Sequence, residues 1–405
     1  MDTQKISKSL INLKNEFGTE KVYAAIEAVE KFQVEVPSWI FGEFGGGRFG
    51  NFMPPGFATN IFEKLDDAAL VNQLTGASEQ IATHTLWDFS TDGFEGSYDI
   101  AVEVKKAAES RGLKLGSINP TYFLKGSHTG SLSSYDDKVR ERYIQQTILS
   151  GKIAEKLSNK LLTLWLPDGS NYPGQIELDK VTSNTIDSLK TISEKVSKSV
   201  RVLIEYKAFE PGTYSTVLDD WGSALMMAQN YGSNAGVLID LGHHYHSKNI
   251  ELIVARLINK RILGGFHFNT RYAADDDHSV EPNPEIARIF YELIKGDAIF
   301  GSNKWDLMID QCSSRENRIQ AIIHSIDSLQ ISLAKAMLVD QNKLIEYQKR
   351  NSIILANRFF NSALILADVR PIVYEARNNK KLPLDPIEAF VESGYQAKIE
   401  KERNN

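Results

Sequence analysis

Four apolar runs in this chain each end on an ionisable side chain. Ile204 leads to Glu205, Val237-Leu238-Ile239 to Asp240, Gly265-Phe266 to His267, and Met308-Ile309 to Asp310. Apolar runs bounded by glycine read as parallel strands buried on both faces. Each acid or imidazole would then sit at the carboxyl end of a buried strand. Charged groups are seldom fully buried unless paired or bound to metal. One such group alone reads more often as a satisfied structural residue. Four on neighbouring strands converge on one axis, and three carboxylates cannot all ionise there without a cation between them. Glu205, Asp240, His267 and Asp310 are therefore expected to hold a divalent metal.

A second ion is expected close by. Asp240 is followed three residues later by His243, and a loop after His267 carries Asp275, Asp276 and Asp277. A bare run of three aspartates reads as a solvated loop. With His243 and the strand context beside it, Asp275 and Asp277 read as alternate ligands to one ion, with Asp240 bridging both sites. Oxygen-rich ligands with one imidazole per ion suit manganese, magnesium or cobalt better than structural zinc. Lys207, two residues from Glu205, points to the same face. It reads either as a fixed cation for a developing oxyanion or as half of an ion pair. His84 reads as an acid or base, or as a core imidazole. Trp87, Phe123 and Trp165 read as apolar walls or as barrel core. His128, His244, His246 and His278 fall in loops and His324 on a tail helix, outside the ligand shells.

The elements that must position these residues are short apolar runs, each followed by a loop and an amphipathic helical pattern. The runs are Val36–Phe41, Thr83–Trp87, Leu113–Ile118, Leu161–Leu166, Val202–Tyr206, Val237–Leu241, Leu263–Phe268 and Leu307–Gln311. Helical spacing appears over 97–111, 136–158, 180–198, 214–231, 249–260 and 284–296. Strand and helix alternating eight times predicts an α/β fold, a (β/α)8 TIM barrel. We assign 1–33 as an N-terminal helical region, 34–315 as the catalytic barrel and 316–405 as a C-terminal helical extension. The stripe Ile322, Ile323, Ile326, Leu329 and Leu333 would pack on the barrel or on a sister subunit. The stretch Gly42–Gly50, followed by Pro54-Pro55-Gly56, matches no phosphate-binding spacing. It reads as a connector or as a lid over the barrel mouth.

Composition narrows the partners. The 405 residues are 42% hydrophobic and 24% charged with a net charge of −6. Without a basic block, nucleic acid is not the expected partner. Cys312 is the sole cysteine, which excludes an internal disulfide framework and fits a reducing compartment. No apolar run approaches a membrane span, and the N-terminus lacks a signal-peptide core. A cytoplasmic location is expected.

The set Glu205-x-Lys207, Asp240-x-x-His243, His267, Asp275-x-Asp277 and Asp310 resembles the xylose-isomerase-like barrels. Among these the chain is most similar to the broad-specificity L-rhamnose isomerases of soil bacteria. Pro37-Ser38-Trp39, Gly45-Gly46-Gly47-Arg48-Phe49-Gly50, Leu86-Trp87-Asp88 and Trp165-Leu166-Pro167-Asp168-Gly169 also resemble that family. The resemblance covers nearly the whole chain. It implies a structural metal on Glu205, Asp240, His267 and Asp310, and a catalytic metal on Asp240, His243, Asp275 and Asp277. Manganese is the first choice for both ions, with cobalt, magnesium and zinc as alternatives. It further implies His84 near the sugar ring oxygen and Lys207 near the carbonyl. Trp87, Phe123 and Trp165 would lie against the substrate, and Phe49 would reach in from a neighbouring subunit of a homotetramer.

The implied reaction is aldose–ketose isomerisation of L-rhamnose and L-rhamnulose, with other aldoses such as D-allose as further substrates. Asp275 and Asp277 would hold the base that moves the hydroxyl proton between O1 and O2. Three rivals stand beside it. A keto-sugar 3-epimerase closes on one metal with paired glutamates, whereas this chain has aspartate on the eighth strand and the extra Asp275-x-Asp277 pair. A metal phosphodiesterase of the endonuclease type would need a basic surface. An inactive sugar-binding barrel would be marked by a lost ligand, and none is missing.

Overall fold

The computed structural model describes residues 3–42, 54–123, 126–210, 213–271, 278–297, 305–311 and 316–403. Eight parallel strands form one sheet: β1 (Val36–Pro37), β2 (Gln80–His84), β3 (Lys114–Asn119), β4 (Leu161–Trp165), β5 (Arg201–Glu205), β6 (Ala235–Asp240), β7 (Leu263–Phe268) and β8 (Asp306–Ile309). Their order in the sheet follows the chain, and a parallel bridge between Glu35 and Met308 brings β8 back to β1. Glu35 N donates to Leu307 O at 2.8 Å and Ile309 N to Glu35 O at 3.0 Å. The strand and helix alternation of the sequence is thus a TIM barrel.

Residues two apart on a strand face the same side, so the barrel interior is built in levels. Leu161, Leu203 and Leu238 form one buried interior cluster, and Trp39, Ala82 and Met308 another. Two residues further along the same strands stand His84 after Ala82, Glu205 after Leu203, Asp240 after Leu238 and Asp310 after Met308. The apolar middle level thus sits directly beneath the ionisable one. Two residues before it are Arg201 and Asp306, at the amino-terminal face with Glu35. Glu35 is buried there; its Oε2 accepts from Ser117 N and Oγ, and its Oε1 from Asn159 Nδ2. Gly116 makes this room, since a Cβ there would come 2.5 Å from the Glu35 carboxyl.

The strand bounds differ from the sequence expectation where a polar group captures the backbone early. Val36–Pro37 passes at once into a 3-10 turn, Ser38–Phe41, and β2 ends at His84, where Thr85–Asp88 turns helical. The buried Asp88 carboxylate ties these turns together. It accepts from Ser38 Oγ at 2.6 Å, Lys64 Nζ at 2.8 Å and His84 N at 2.8 Å. Lys64 lies on Ile61–Thr75, a helix absent from the sequence reading, because its buried face includes Lys64 and Asp67 and so breaks the apolar stripe. The helix expected over 214–231 is Trp221–Tyr231, started by an Asp220 capping box. Ahead of it, Tyr214–Thr216 joins Gly169–Ser170 and Phe209–Glu210 in a small antiparallel sheet above β4 and β5.

The tail helix Arg318–Met337 buries Ile322, Ile323, Ile326, Leu329 and Leu333 within the chain, against Thr19–Lys31, Ile61–Thr75 and Pro284–Lys295. Of the two packing options, this stripe takes the intramolecular one. The helical pattern over 386–402 resolves into Pro386–Glu392 and Tyr395–Arg403. Arg403 and Tyr395 both bond the buried Asp67 carboxylate, and Arg403 also reaches Gly56 O at 2.8 Å. Among the described residues no single helix is long and apolar enough to cross a membrane.

Candidate metal centre and pocket

Glu205, Asp240, His267 and Asp310 each offer one ligand atom, and those atoms all lie within 4.8 Å of one another. His267 Nδ1 is 3.3 Å from Glu205 Oε1, 3.7 Å from Asp240 Oδ2 and 3.6 Å from Asp310 Oδ2. Register explains the convergence: His267 is paired directly with Asp240 across β6 and β7. The first three residues are buried and Asp310 is partly so.

Three of these four groups also carry orphaned atoms. Glu205 Oε1, Asp240 Oδ2 and both ring nitrogens of His267 are buried with no hydrogen-bond partner. Burial, and after it the charges of Glu205 and Asp310, push the Asp240 carboxyl far above the usual carboxylate range. Asp310 is raised to about 6, again mainly by burial, with the His267 charge opposing. Burial alone would lower His267, but the carboxylates of Glu205, Asp310 and Asp240 outweigh it and lift the imidazole to about 10. Three acids and one imidazole are therefore buried together with unpaired ligand atoms and with carboxyls that resist ionising. A dication supplies the missing charge and the missing partners at once. The residues fit a divalent metal.

Other groups orient these four. Asp240 Oδ1 accepts from Gly242 N at 2.7 Å and Asn269 Nδ2 at 2.9 Å, which leaves Oδ2 to face the cluster. Trp39 Nε1 donates to Asp310 Oδ1 at 3.1 Å. Neither Trp39 nor Asn269 was expected as part of the site. The readable signal was position, since Asn269 stands two residues beyond His267 and Trp39 two residues beyond the first strand. Such outer partners set ligand orientation and affinity.

His243 lines the pocket beside the cluster, its Nδ1 3.4 Å from Glu205 Oε1. Nδ1 also lies 3.0 Å from Tyr206 O, and a carbonyl can only accept, so the proton sits on Nδ1 and the lone pair on Nε2. Burial, then the Lys207 charge, holds this imidazole neutral, well below its ordinary range. Neutral with a free Nε2 is the form a metal requires. Asp275 and Asp277, expected to complete a second site with it, lie outside the described residues, as does Phe49. His244 is engaged elsewhere: Nε2 accepts from Tyr206 OH at 2.7 Å and Nδ1 donates to Leu241 O at 3.3 Å. His324 pairs with Glu281 at 3.1 Å, and His128 lines the pocket away from the cluster.

The cluster forms one end of a cavity of about 1520 Å³ at the carboxyl ends of the strands. Trp39, Trp87 and Phe123 surround the His84 ring at centroid distances of 4.9, 4.6 and 5.6 Å, and Phe123 meets Trp165 at 5.4 Å. The structure therefore gathers His84, Trp87, Phe123 and Trp165 into one wall. Burial pushes His84 down to about 3, so it stands as a neutral imidazole, with Nδ1 3.2 Å from Thr121 Oγ1. Lys207 is buried in the same cavity, with Nζ 5.2 Å from the Trp165 ring centroid and 3.0 Å from Glu210 Oε2. Both readings of Lys207 thus meet in one side chain, a pocket cation that is also an ion-pair partner. Asp168, also in the wall, accepts four bonds from the backbone and hydroxyls of Ser131 and Ser133 and fixes that loop.

A family model described as a xylose isomerase-like TIM barrel matches residues 80–297. A probable sugar isomerase of Rhizobium meliloti (strain 1021) is 35% identical over 93% of this chain and 87% of its own length. An L-rhamnose isomerase of Rhodopirellula baltica is 22% identical over 75% of this chain and 78% of its own. Among solved structures, a D-allulose 3-epimerase from Methylomonas sp. superposes with a TM-score of 0.50 at 13% identity, covering 79% of this chain and 98% of that one. At that identity the likeness is one of fold.

Proposed function

Because the chain belongs to the xylose isomerase-like TIM-barrel family, we propose that it is a metal-dependent aldose–ketose isomerase that interconverts L-rhamnose and L-rhamnulose and also accepts other aldoses such as D-allose. The observation that carries this reading is the cluster of Glu205, Asp240, His267 and Asp310, with orphaned ligand atoms on the first three, beside an aromatic-walled cavity. The names of the sugar-isomerase relatives support the class.

In this reading two divalent cations bind per subunit, manganese first among them. Glu205, Asp240, His267 and Asp310 hold one, and Asp240, His243, Asp275 and Asp277 the other. When bound they supply Lewis-acid polarisation of the two sugar oxygens between which hydrogen moves. The protein's own groups do the rest. Trp87, Phe123 and Trp165 stack against the apolar face of the sugar and exclude water. His84, neutral and set in that wall, exchanges a hydrogen bond with the ring oxygen during opening. Lys207 donates to the substrate carbonyl oxygen and balances charge that develops there. Asp275 and Asp277 would hold the base that moves the hydroxyl proton between O1 and O2. Phe49 of a neighbouring subunit would close the pocket in a homotetramer, and we place the enzyme in the cytoplasm. The catalytic barrel is assigned to 34–315 between helical regions 1–33 and 316–405.

A keto-sugar 3-epimerase is the second reading, favoured by the fold likeness to the Methylomonas enzyme. Chelated protein reloaded with Mn²⁺ and offered a panel of aldoses and ketoses separates the two. Ketose from L-rhamnose supports the isomerase; C3-epimerised ketose alone would replace it with the epimerase. No product from any sugar, with Mn²⁺ bound, would leave an inactive sugar-binding barrel.

A further inference from the structure

Glu210 is a charged side chain of the pocket to which the reaction above gives no task. Glu210 lies on Phe209–Glu210, and its pairing with Tyr214 holds that strand in the small antiparallel sheet at the pocket wall. Its Oε2 accepts from Lys207 Nζ at 3.0 Å. Among the described residues that line the cavity, Lys207 is the sole lysine or arginine. His84 contributes no charge, since burial keeps it neutral. The sole lysine or arginine among the described lining residues is therefore already matched by a carboxylate.

We propose that Glu210 is a specificity-determining residue that restricts the pocket to uncharged sugars. The inference rests on the sugar-isomerase reading of this site. A Lys–Glu pair side by side offers a donor and an acceptor about one hydroxyl apart, which suits a carbonyl or hydroxyl of a neutral sugar. A sugar acid presented to the same pair must displace Glu210 from Lys207 and then face its charge, and unfavourable juxtaposition of like charges is how sites reject wrong partners. Selection here comes from the repulsive member of the pair, while Lys207 alone would attract the acid.

The test uses the Mn²⁺-loaded full-length protein and calorimetric titration of two probes, a hexitol and the hexonate of the same configuration. The hexonate places its carboxylate where the aldehyde would stand. Wild type is expected to bind the hexitol more tightly. E210Q should tighten the hexonate relative to the hexitol by about tenfold or more, and E210D, which keeps the charge, should retain the wild-type order. Chelation of the hexonate by metal is common to all three proteins and cancels in the comparison. An unchanged hexonate-to-hexitol ratio in E210Q, or E210D behaving like E210Q, overturns the role of Glu210 and leaves the isomerase reading standing. Wild type that binds neither probe overturns both.

Discussion

Trp39 and Asp310 are 271 positions apart in the chain, yet the Trp39 indole N–H donates to the Asp310 carboxylate across the seam where first and last strands meet. The ligand just past the last strand is thus aimed by a residue in the turn that follows the first. Trp39→Phe keeps the ring beside His84 and removes only the donor. We expect Mn²⁺ affinity to fall by about tenfold, read by Mn²⁺ electron paramagnetic resonance. Trp87→Phe, which touches the wall without bonding a cluster carboxylate, serves as the control. Equal affinities for the two variants would refute the orienting role.

Asp240→Asn should part stability from activity. The asparagine keeps an oxygen for Gly242 N and Asn269 Nδ2 while removing one of the charges that oppose each other around His267. Without metal the variant should melt above wild type, because a buried like-charge conflict has been relieved. With Mn²⁺ added, wild type should gain stability that the variant does not, and activity should disappear together with bound metal. Activity that survives loss of metal would sink the bridging role.

Glu35 sets a pH dependence at the opposite face of the barrel. Burial, then the charge of Asp306, raises its carboxyl from 4.5 to about 8. Between those values the folded protein binds more protons than the unfolded chain, so stability falls as pH rises through that window. Asp306, raised to about 6, adds a smaller contribution of the same sign. Glu35→Gln cannot ionise. Its Tm should exceed that of wild type at pH 8, and the gap should close towards pH 5. Parallel Tm curves across that range would show that Glu35 titrates normally.

Lys64 is the partner that makes the buried Asp88 tolerable. The side chains are 10% and 0% exposed and 2.8 Å apart. Lys64→Met leaves a carboxylate buried with one partner fewer, a change that costs about 3 kcal/mol or more in comparable pairs. Denaturant unfolding measures it. Because Asp88 also holds His84 N, near-ultraviolet circular dichroism of the tryptophan wall should change as well. A loss below about 1 kcal/mol would mean the pair behaves as a surface one.

The chain announced its barrel and its ligands for one reason: a strand buried on both faces tolerates an acid or imidazole only where something answers its charge. Glu205, Asp240, His267 and Asp310 stood out against apolar runs, and the structure brings them together. What did not stand out was polar burial paired across long separations. Lys64 and Asp67 disguised the helix Ile61–Thr75 because each is answered by a residue from a distant segment, Asp88 and Arg403. Glu210 was equally silent, since a glutamate before Pro211-Gly212 looks like any loop acid until the antiparallel pairing with Tyr214 sets it against Lys207. Periodicity reports which side of an element is dry, not which distant partner has come to meet it.

The bridge between Glu35 and Met308 also has a meaning for biogenesis. A ribosome releasing this polypeptide exposes the edge of β1 long before its mate emerges, so the ring cannot shut, nor Asp310 reach its three companions, until β8 has left the ribosome. Sequences that shield that early edge, or trap the cation sooner, would change the yield of active protein without altering the finished molecule.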